Sequence, residues 1–358
     1  MAEDPGAPPA PDDTIDVRAD ERFDEAILAR YLIEKLEGAE GPLTVRQFGG
    51  GAANLTYLLR YGDREYVLRR PPLGPVAPSA HDMAREHRVL SVLHRAFPPA
   101  PRAFLFCEDP GVIGAPFFVM ERRRGIVVRR KVPAAFAAAE DAPRRMSLAL
   151  VDALAALHAV DYAALGLETL GKPAGFLERQ IEGWLGRWER ARLEEVADMT
   201  WVHDWLRERR PHDGSAALVH NDYKLDNVML ASDDPGRLVA IFDWDMCTLG
   251  DPLSDLGSLL CYWSEASDPP DFRGMSMMPA VAGFPTRAEL VERYAARSGT
   301  DVRDIAFYHV LGLYRLAVIA AQIYVRFHRG QTRDQRFAAF GPLVPVVAAA
   351  ARARAGEG

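Results

Sequence analysis

Val219-His220-Asn221-Asp222-Tyr223-Lys224-Leu225-Asp226-Asn227-Val228-Met229, followed by the apolar run Leu238 to Phe242 and by Asp243-Trp244-Asp245, is the stretch whose reading decides the fold of this 358-residue chain. Its polar centre has the form H-x-D-x-K-x-x-N. On either side lie the β-type pieces Ala217-Leu218-Val219 and Val228-Met229-Leu230. A short hairpin carrying acids and amides is the kind of segment on which a rigid scaffold positions chemistry. The surroundings are helical in texture. Apolar periodicity and capping residues predict helices at Arg144 to Val160, Phe176 to Arg192, Trp201 to Arg209, Leu253 to Trp263, Arg287 to Ser298, Asp304 to Phe327, Arg333 to Phe340 and Pro345 to Ala351.

Upstream the pattern differs. Phe23, Ile27, Leu28, Tyr31, Leu32 and Leu36 recur at helical spacing between Glu21 and Gly38, and strands follow at Leu43 to Phe48, Leu55 to Tyr61 and Tyr66 to Arg70. Gly62-Asp63 is a hairpin signal between the last two. A proline-rich loop, Pro71 to Ser79, precedes a helix at Ala84 to Ala96 that carries Glu86. Strands at Ala103 to Cys107 and Phe117 to Met120 complete a small sheet packed by one main helix, so the fold class is α+β. The domain reading is a disordered leader over 1–20, a sheet-containing part over 21–121 and a helical part over 122–358. The leader reading rests on a composition rich in Pro, Ala and Asp, with no basic start and apolar centre of a signal peptide.

A net charge of −7 supplies no basic field for a phosphate backbone, which argues against nucleic acid as a partner. The three cysteines, Cys107, Cys247 and Cys261, form no C-x-x-C pair, so neither a disulfide framework nor a cysteine zinc site is expected, and a cytoplasmic location fits. The apolar stretch Ile305 to Phe327 contains His309 and Arg315, which predicts a buried helix rather than a membrane span.

Phosphoryl transfer from ATP requires a carboxylate that accepts or orients the acceptor hydroxyl and oxygen ligands for magnesium near the β- and γ-phosphates. Asp222 suits the first role, and Asn227 with Asp243 the second. Lys224, two residues after Asp222, would point the same way in an extended loop and neutralise charge on the transferred group. His220 reads as a structural brace. Gly166 to Lys172 has the spacing of a phosphate loop, but Pro173 stands where a hydroxyl is needed, so that segment is set aside.

On these residues the chain resembles the protein-kinase-like fold, and specifically the aminoglycoside phosphotransferase family, over about residues 20 to 340. The resemblance implies two lobes, a small antiparallel-sheet N-lobe with one main helix and a larger, mostly helical C-lobe, with ATP between them. Gly49-Gly50-Gly51 and Asn54 look like the nucleotide loop. Arg69 sits where that family has a phosphate-binding lysine, with Arg70 as a competing register, and Glu86 looks like its helix partner. Met120-Glu121 resembles the hinge whose backbone would bond adenine. The same resemblance makes Asp222 the catalytic aspartate, Asn227 and Asp243 the metal ligands, and Asp251 and Asp255 supporting acids. Arg69 in place of lysine, and Trp-Asp after Asp243 in place of Phe-Gly, are departures from the protein-kinase pattern, the second matching small-molecule kinases.

Val67-Leu68-Arg69-Arg70-Pro71-Pro72, Arg85-Glu86, Val219 to Met229, Asp243-Trp244-Asp245 and Thr248-Leu249-Gly250-Asp251-Pro252-Leu253-Ser254-Asp255 look most like the kinase domain fused to some acyl-CoA dehydrogenases. That subgroup implies a hydroxyacyl-CoA acceptor, with a separate acyl-CoA dehydrogenase as partner. Between Tyr262 and Arg336 arginines outnumber acids, which argues against a polycationic aminoglycoside. Arg122-Arg123-Arg124 with Arg129-Arg130-Lys131 reads as either an anion contact or a set of surface ion pairs. Tyr314, Arg315 and Gln322 are candidates for the acceptor pocket. The alternatives are an antibiotic phosphotransferase and a nucleotide-binding pseudokinase or partner module.

Overall fold

The structure is a computed structural model that describes residues 13–49, 54–72, 82–139, 141–212, 214–276, 278–332 and 335–356. The chain forms two units, the first made of residues up to Ile126 together with Val239–Asp245, the second of Val127–Leu238 and everything from Met246 onward.

In the first unit, β1 (Thr14–Ile15) leads through a 3-10 turn to α1 (Glu25–Lys35), β2 (Leu43–Phe48), β3 (Leu55–Tyr61), β4 (Arg64–Arg70), α2 (Met83–Leu93), β5 (Ala103–Cys107) and β6 (Phe117–Glu121). The strands make one sheet in the order β1-β2-β3-β4-β6-β5, with every pair antiparallel. Asp24 starts α1 by accepting from the N–H groups of Ala26 and Ile27, and Asp82 starts α2 by accepting from Arg85 N.

Side chains alternate across a strand, so the sheet has two faces. Tyr57, Leu59, Tyr66, Leu68, Phe117 and Val119 share a core with Leu28 and Leu32 of α1. Alternation puts Leu58, Val67, Phe118 and Met120 on the other face, and α2 packs there against β5 and β6. This decides between the two adjacent arginines. Arg69, paired across the ladder with Phe118, lies on the α2 face. Arg70 enters the opposite core, where it bonds Tyr57 Oη, Ile113 O and Glu21 O.

Two expectations change here. The segment read as a disordered leader is ordered over 13–20: Thr14 and Ile15 pair with Phe48 and Gln47, and Arg46 bonds both Thr14 Oγ1 and Thr14 O. Composition misses this because an edge strand draws its order from backbone pairing with β2. Val239–Asp245, assigned by order along the chain to the helical part, groups with the first unit because Ile241 N donates to Pro99 O and Trp244 N to Glu86.

The second unit contains α3 (Ala142–His158), α4 (Phe176–Ala191), α5 (Ala197–Glu208), β7 (Ala217–Val219), β8 (Val228–Ala231), β9 (Asp234–Ile241, which passes into the first unit), β10 (Thr248–Gly250), α6 (Leu253–Tyr262), α7 (Pro270–Gly274), α8 (Arg287–Ser298), α9 (Ile305–His328) and α10 (Leu343–Gly356). β7 pairs with β10, and β8 with β9. Gln335–Phe340 is a 3-10 turn rather than the expected α-helix. α9 is the organising element, packed by α4, α5, α6 and α10. It is long and apolar enough to cross a bilayer by length and composition, as is Gln335–Gly356, and most of its apolar window is buried inside the protein.

α6 and α9 cross at backbone contact. A Cβ on Gly257 would overlap the carbonyl of Tyr308, and one on Gly312 would lie 2.5 Å from Cys261 Sγ and 3.0 Å from Gly257 O. Backbone cannot move aside as a side-chain tip can. Gly257→Ala is therefore expected to cost up to about 3 kcal/mol by overpacking, read as a lowered urea midpoint at unchanged m-value; a midpoint equal to wild type would show that the crossing yields.

Candidate active site

In the first unit the candidate residues lie on β4, on α2 and just after β9. Arg69 Nη1 donates to Glu86 Oε1 at 2.6 Å and Nη2 to Asp243 Oδ1 at 2.9 Å. Glu86 is fully buried and Arg69 almost so, while the Asp243 side chain remains 26% exposed. Burial pushes the Glu86 carboxyl up; Arg69 pulls against this, and Asp243 and Asp245 add to the push. Burial works against the Arg69 charge, but Glu86 and Asp243 outweigh it and hold the guanidinium firmly protonated. A charged fork thus joins the strand, the helix and the carboxylate that follows β9.

Asn54, just before β3, is buried, and neither polar atom of its amide finds a hydrogen-bond partner among the described residues. A buried amide left without hydrogen bonds is costly unless a ligand supplies them. Gly49 is described as the residue just past β2; Gly50 and Gly51 lie outside the described residues. Met120 is paired with Val67 in the sheet, and the N–H of Glu121 already donates to Arg102 O at 2.8 Å. That donor of the proposed hinge is therefore committed within the protein.

In the second unit β7 delivers His220 to Lys224 as a loop, and a 3-10 turn, Leu225–Asn227, leads into β8. Lys224 Nζ donates to both oxygens of Asp222 at 2.7 Å. Asn227 Nδ2 donates to Asp222 O and Oδ2, each at 2.8 Å. Three residues read from spacing alone are thus in direct contact. Burial opposes the Lys224 charge, but Tyr262, Asp222 and Asp226 hold it above its ordinary range. The Lys224 ammonium also lies 5.3 Å from the centre of the Tyr262 ring.

The loop hangs from α6. Asp255 is fully buried and accepts from His220 N at 2.6 Å and Asn221 N at 2.7 Å, and it meets His158 Nε2 at 3.2 Å. His158 Nδ1 in turn meets Tyr294 Oη at 2.7 Å. His220 serves as a brace: its Nδ1 accepts the N–H of Asp222 at 3.2 Å. Asp251 accepts from Tyr308 Oη and from Leu253 N. Asn221 and Asp243 are the non-glycine residues with positive φ among those described, at 65° and 70°. Both are residue types that tolerate this region at modest strain.

Burial works against the Asp255 carboxylate, yet the His158 hydrogen bond and the backbone N–H of His220 hold it below the ordinary value of 3.8. An acid depressed in the folded state stabilises above its unfolded value, and that stabilisation is lost as pH falls through the folded one. The protein is therefore expected to lose stability on acidification below about pH 4, and Asp255→Asn to flatten that limb. Thermal unfolding of both proteins from neutral to acid pH checks this; parallel curves would count against it.

Other candidates resolve differently. Arg122 pairs with Asp13, Arg123 with Glu121 and Arg124 with Glu65, so these three are ion pairs. Several arginines counted toward the acceptor are spent likewise: Arg287 on Glu265 and Asp268, and Arg293 and Arg297 on Asp152. Tyr314 is fully buried, and Arg315 is turned into the protein toward the loop. Sequence reasoning missed His158 and Tyr262, which carry no local signal because both meet the site through tertiary packing.

Among the described residues no three His, Cys, Asp or Glu side chains gather as a metal cage. Asn227 donates through its nitrogen, which leaves its amide oxygen as the acceptor end. That oxygen is a hard donor of the kind magnesium takes, and in the first unit the part-exposed Asp243 carboxylate is another.

Comparison with known proteins identifies the family. Residues 44–308 match the phosphotransferase enzyme family. Acyl-CoA dehydrogenase family member 11 of Rattus norvegicus is 32% identical over 330 residues, covering 90% of this chain and 42% of that protein. The chain spans less than half the length of such curated relatives. A Ralstonia eutropha JMP134 structure, provisionally described as an aminoglycoside phosphotransferase, superposes with a TM-score of 0.78 at 30% identity, covering 94% of this chain and 99% of that one. An aminoglycoside phosphotransferase in ternary complex with AMP-PNP and hygromycin B shares the fold, with a TM-score of 0.59 at 18% identity over 92% of this chain and 99% of that one.

Proposed function

The chain belongs to the phosphotransferase enzyme family, and from that premise we propose that it moves the γ-phosphoryl group of ATP, with magnesium, onto a hydroxyl of a small molecule, specifically a hydroxyacyl-CoA. The observation that carries the reading is the Asp222 carboxylate, gripped by Lys224 and Asn227 on a loop pinned by Asp255. The acyl-CoA acceptor draws its support from the relatives described as acyl-CoA dehydrogenase family members, and a separate acyl-CoA dehydrogenase is the partner that goes with it.

Asp222 orients the acceptor hydroxyl and takes its proton. The hydroxyl oxygen then forms a bond to the γ-phosphorus while the bond to the β,γ-bridging oxygen breaks, its electron pair leaving with ADP. Lys224 holds the Asp222 carboxylate in place and balances the negative charge of the transferred group. Arg69 and Asn54 face the phosphates in this reading, with Glu86 fixing Arg69. Asn227 and Asp243 would hold magnesium, which when bound neutralises charge on the β- and γ-phosphate oxygens.

Mass spectrometry of wild type with Mg-ATP and a panel of 3-, 4- and 5-hydroxyacyl-CoAs, free hydroxy acids and aminoglycosides tests the acceptor. A phosphorylated CoA thioester is the expected product. The likeness to the Ralstonia structure favours a second reading, antibiotic phosphorylation, and product with an aminoglycoside alone would establish it instead.

A further inference from the structure

Arg315 lies in the middle of α9, is 6% exposed, and forms no ion pair with a carboxylate among the described residues. A buried cation without a counter-ion is expensive, and such a group persists where its donors do something a neutral side chain cannot. Its Nη2 donates to the carbonyl of Asn221 at 2.8 Å and its Nη1 to Ser258 Oγ at 3.1 Å. The guanidinium sits 5.2 Å from the centre of the Trp184 ring of α4.

The carbonyl that Arg315 grips belongs to the peptide bond entering Asp222. The other end of that peptide, Asp222 N–H, is held by His220 Nδ1. One residue earlier, Asn221 N–H is held by Asp255. Asn221 has φ 65°, a conformation that a free loop would leave for ordinary backbone space. Both ends of the peptide are therefore fixed, and rotation of its plane would swing Asp222 away from Lys224 and Asn227.

We propose that Arg315 is a positioning residue for the transfer reaction: by holding the Asn221 carbonyl in the left-handed turn it sets the direction of the Asp222 carboxylate. This rests on the reading that Asp222 handles the acceptor hydroxyl. Lysine offers a compact ammonium rather than a planar fork, so it reaches one of the two acceptors but not both in the same geometry.

The test compares wild type, Arg315→Lys, Arg315→Met and Arg187→Met, using Mg-ATP with whichever hydroxyacyl-CoA wild type phosphorylates, and hydrogen exchange of the peptides spanning 218–226. Arg187 stacks on the same Trp184 ring at 4.4 Å and serves as the control. Arg315→Met is expected to lower kcat about 100-fold through misplacement of the reacting group, with KM for both substrates within about twofold. Arg315→Lys should recover part of the loss, Arg187→Met should match wild type, and exchange at Asn221 and Asp222 should accelerate in Arg315→Met, less so in Arg315→Lys and not in Arg187→Met.

A kcat in Arg315→Met within threefold of wild type, or equal losses in Arg187→Met, would overturn the proposal. Should Arg315→Met fail to fold, Arg315→Lys carries the test, and wild-type kcat with wild-type exchange in that variant would overturn it. If wild type phosphorylates nothing, the functional reading fails while exchange still decides this one: accelerated exchange confined to the loop supports the hold, and unchanged exchange removes it.

Discussion

Asp222→Asn is expected to lower phosphoryl transfer by about 10³- to 10⁴-fold, at the upper end of what a positioned general base contributes. The substitution preserves shape, and Asn227 Nδ2 keeps the Asp222 backbone oxygen as a partner. What disappears is the negative charge that balances Lys224, whose two 2.7 Å contacts are to this carboxylate, and that orients the hydroxyl in the proposed reaction. Nucleotide binding does not draw on that charge, so the affinity for AMP-PNP, measured by calorimetry, should stay within about threefold. Turnover near the wild-type rate would remove Asp222 from the mechanism, whereas joint loss of turnover and nucleotide binding would point to a collapsed loop.

Arg69→Met carries the second large effect. It deletes the shared counter-charge of Glu86 and Asp243, leaving a fully buried acid and a part-exposed one facing each other. Breaking one side of a buried ion pair costs about 3–5 kcal/mol, because the partner left behind has lost both water and its counter-ion. The first unit should unfold at correspondingly lower urea concentration. Glu86→Gln added to Arg69→Met should recover part of the loss, since the orphaned charge is then gone, and this coupling separates an ionic from a packing role. A single variant as stable as wild type would mean that the 2.6 Å contact contributes nothing net.

Much of this was legible in the chain itself. Short runs of β-type residues define β2, β3 and β5 at the bounds observed, and the spacing H-x-D-x-K-x-x-N brings Asp222, Lys224 and Asn227 together within one short loop. Glu86 came from the family resemblance as the helix partner of Arg69, and the contact follows once that helix lies on the sheet.

What local pattern does not encode is which face a partner covers. Arg69 and Arg70 are chemically identical neighbours on one strand, and only the packing of α1 on one side of the sheet and α2 on the other gives them different fates. Arg122 to Arg124 and the arginines after Tyr262 have the composition of an anion site. Asp13, Glu65 and Asp152, which pair with Arg122, Arg124 and Arg293, lie more than fifty residues away in sequence, so those ion pairs appear only in three dimensions. His158, Asp255 and Arg315 hold the loop from three different helices. Short-range sequence determines the elements and the chemistry of the loop, because both are set by neighbours a few residues apart. The tertiary structure alone decides which buried groups hold that loop in place, because their contacts join residues separated by tens of positions and exist only after α6 and α9 have closed on each other at Gly257.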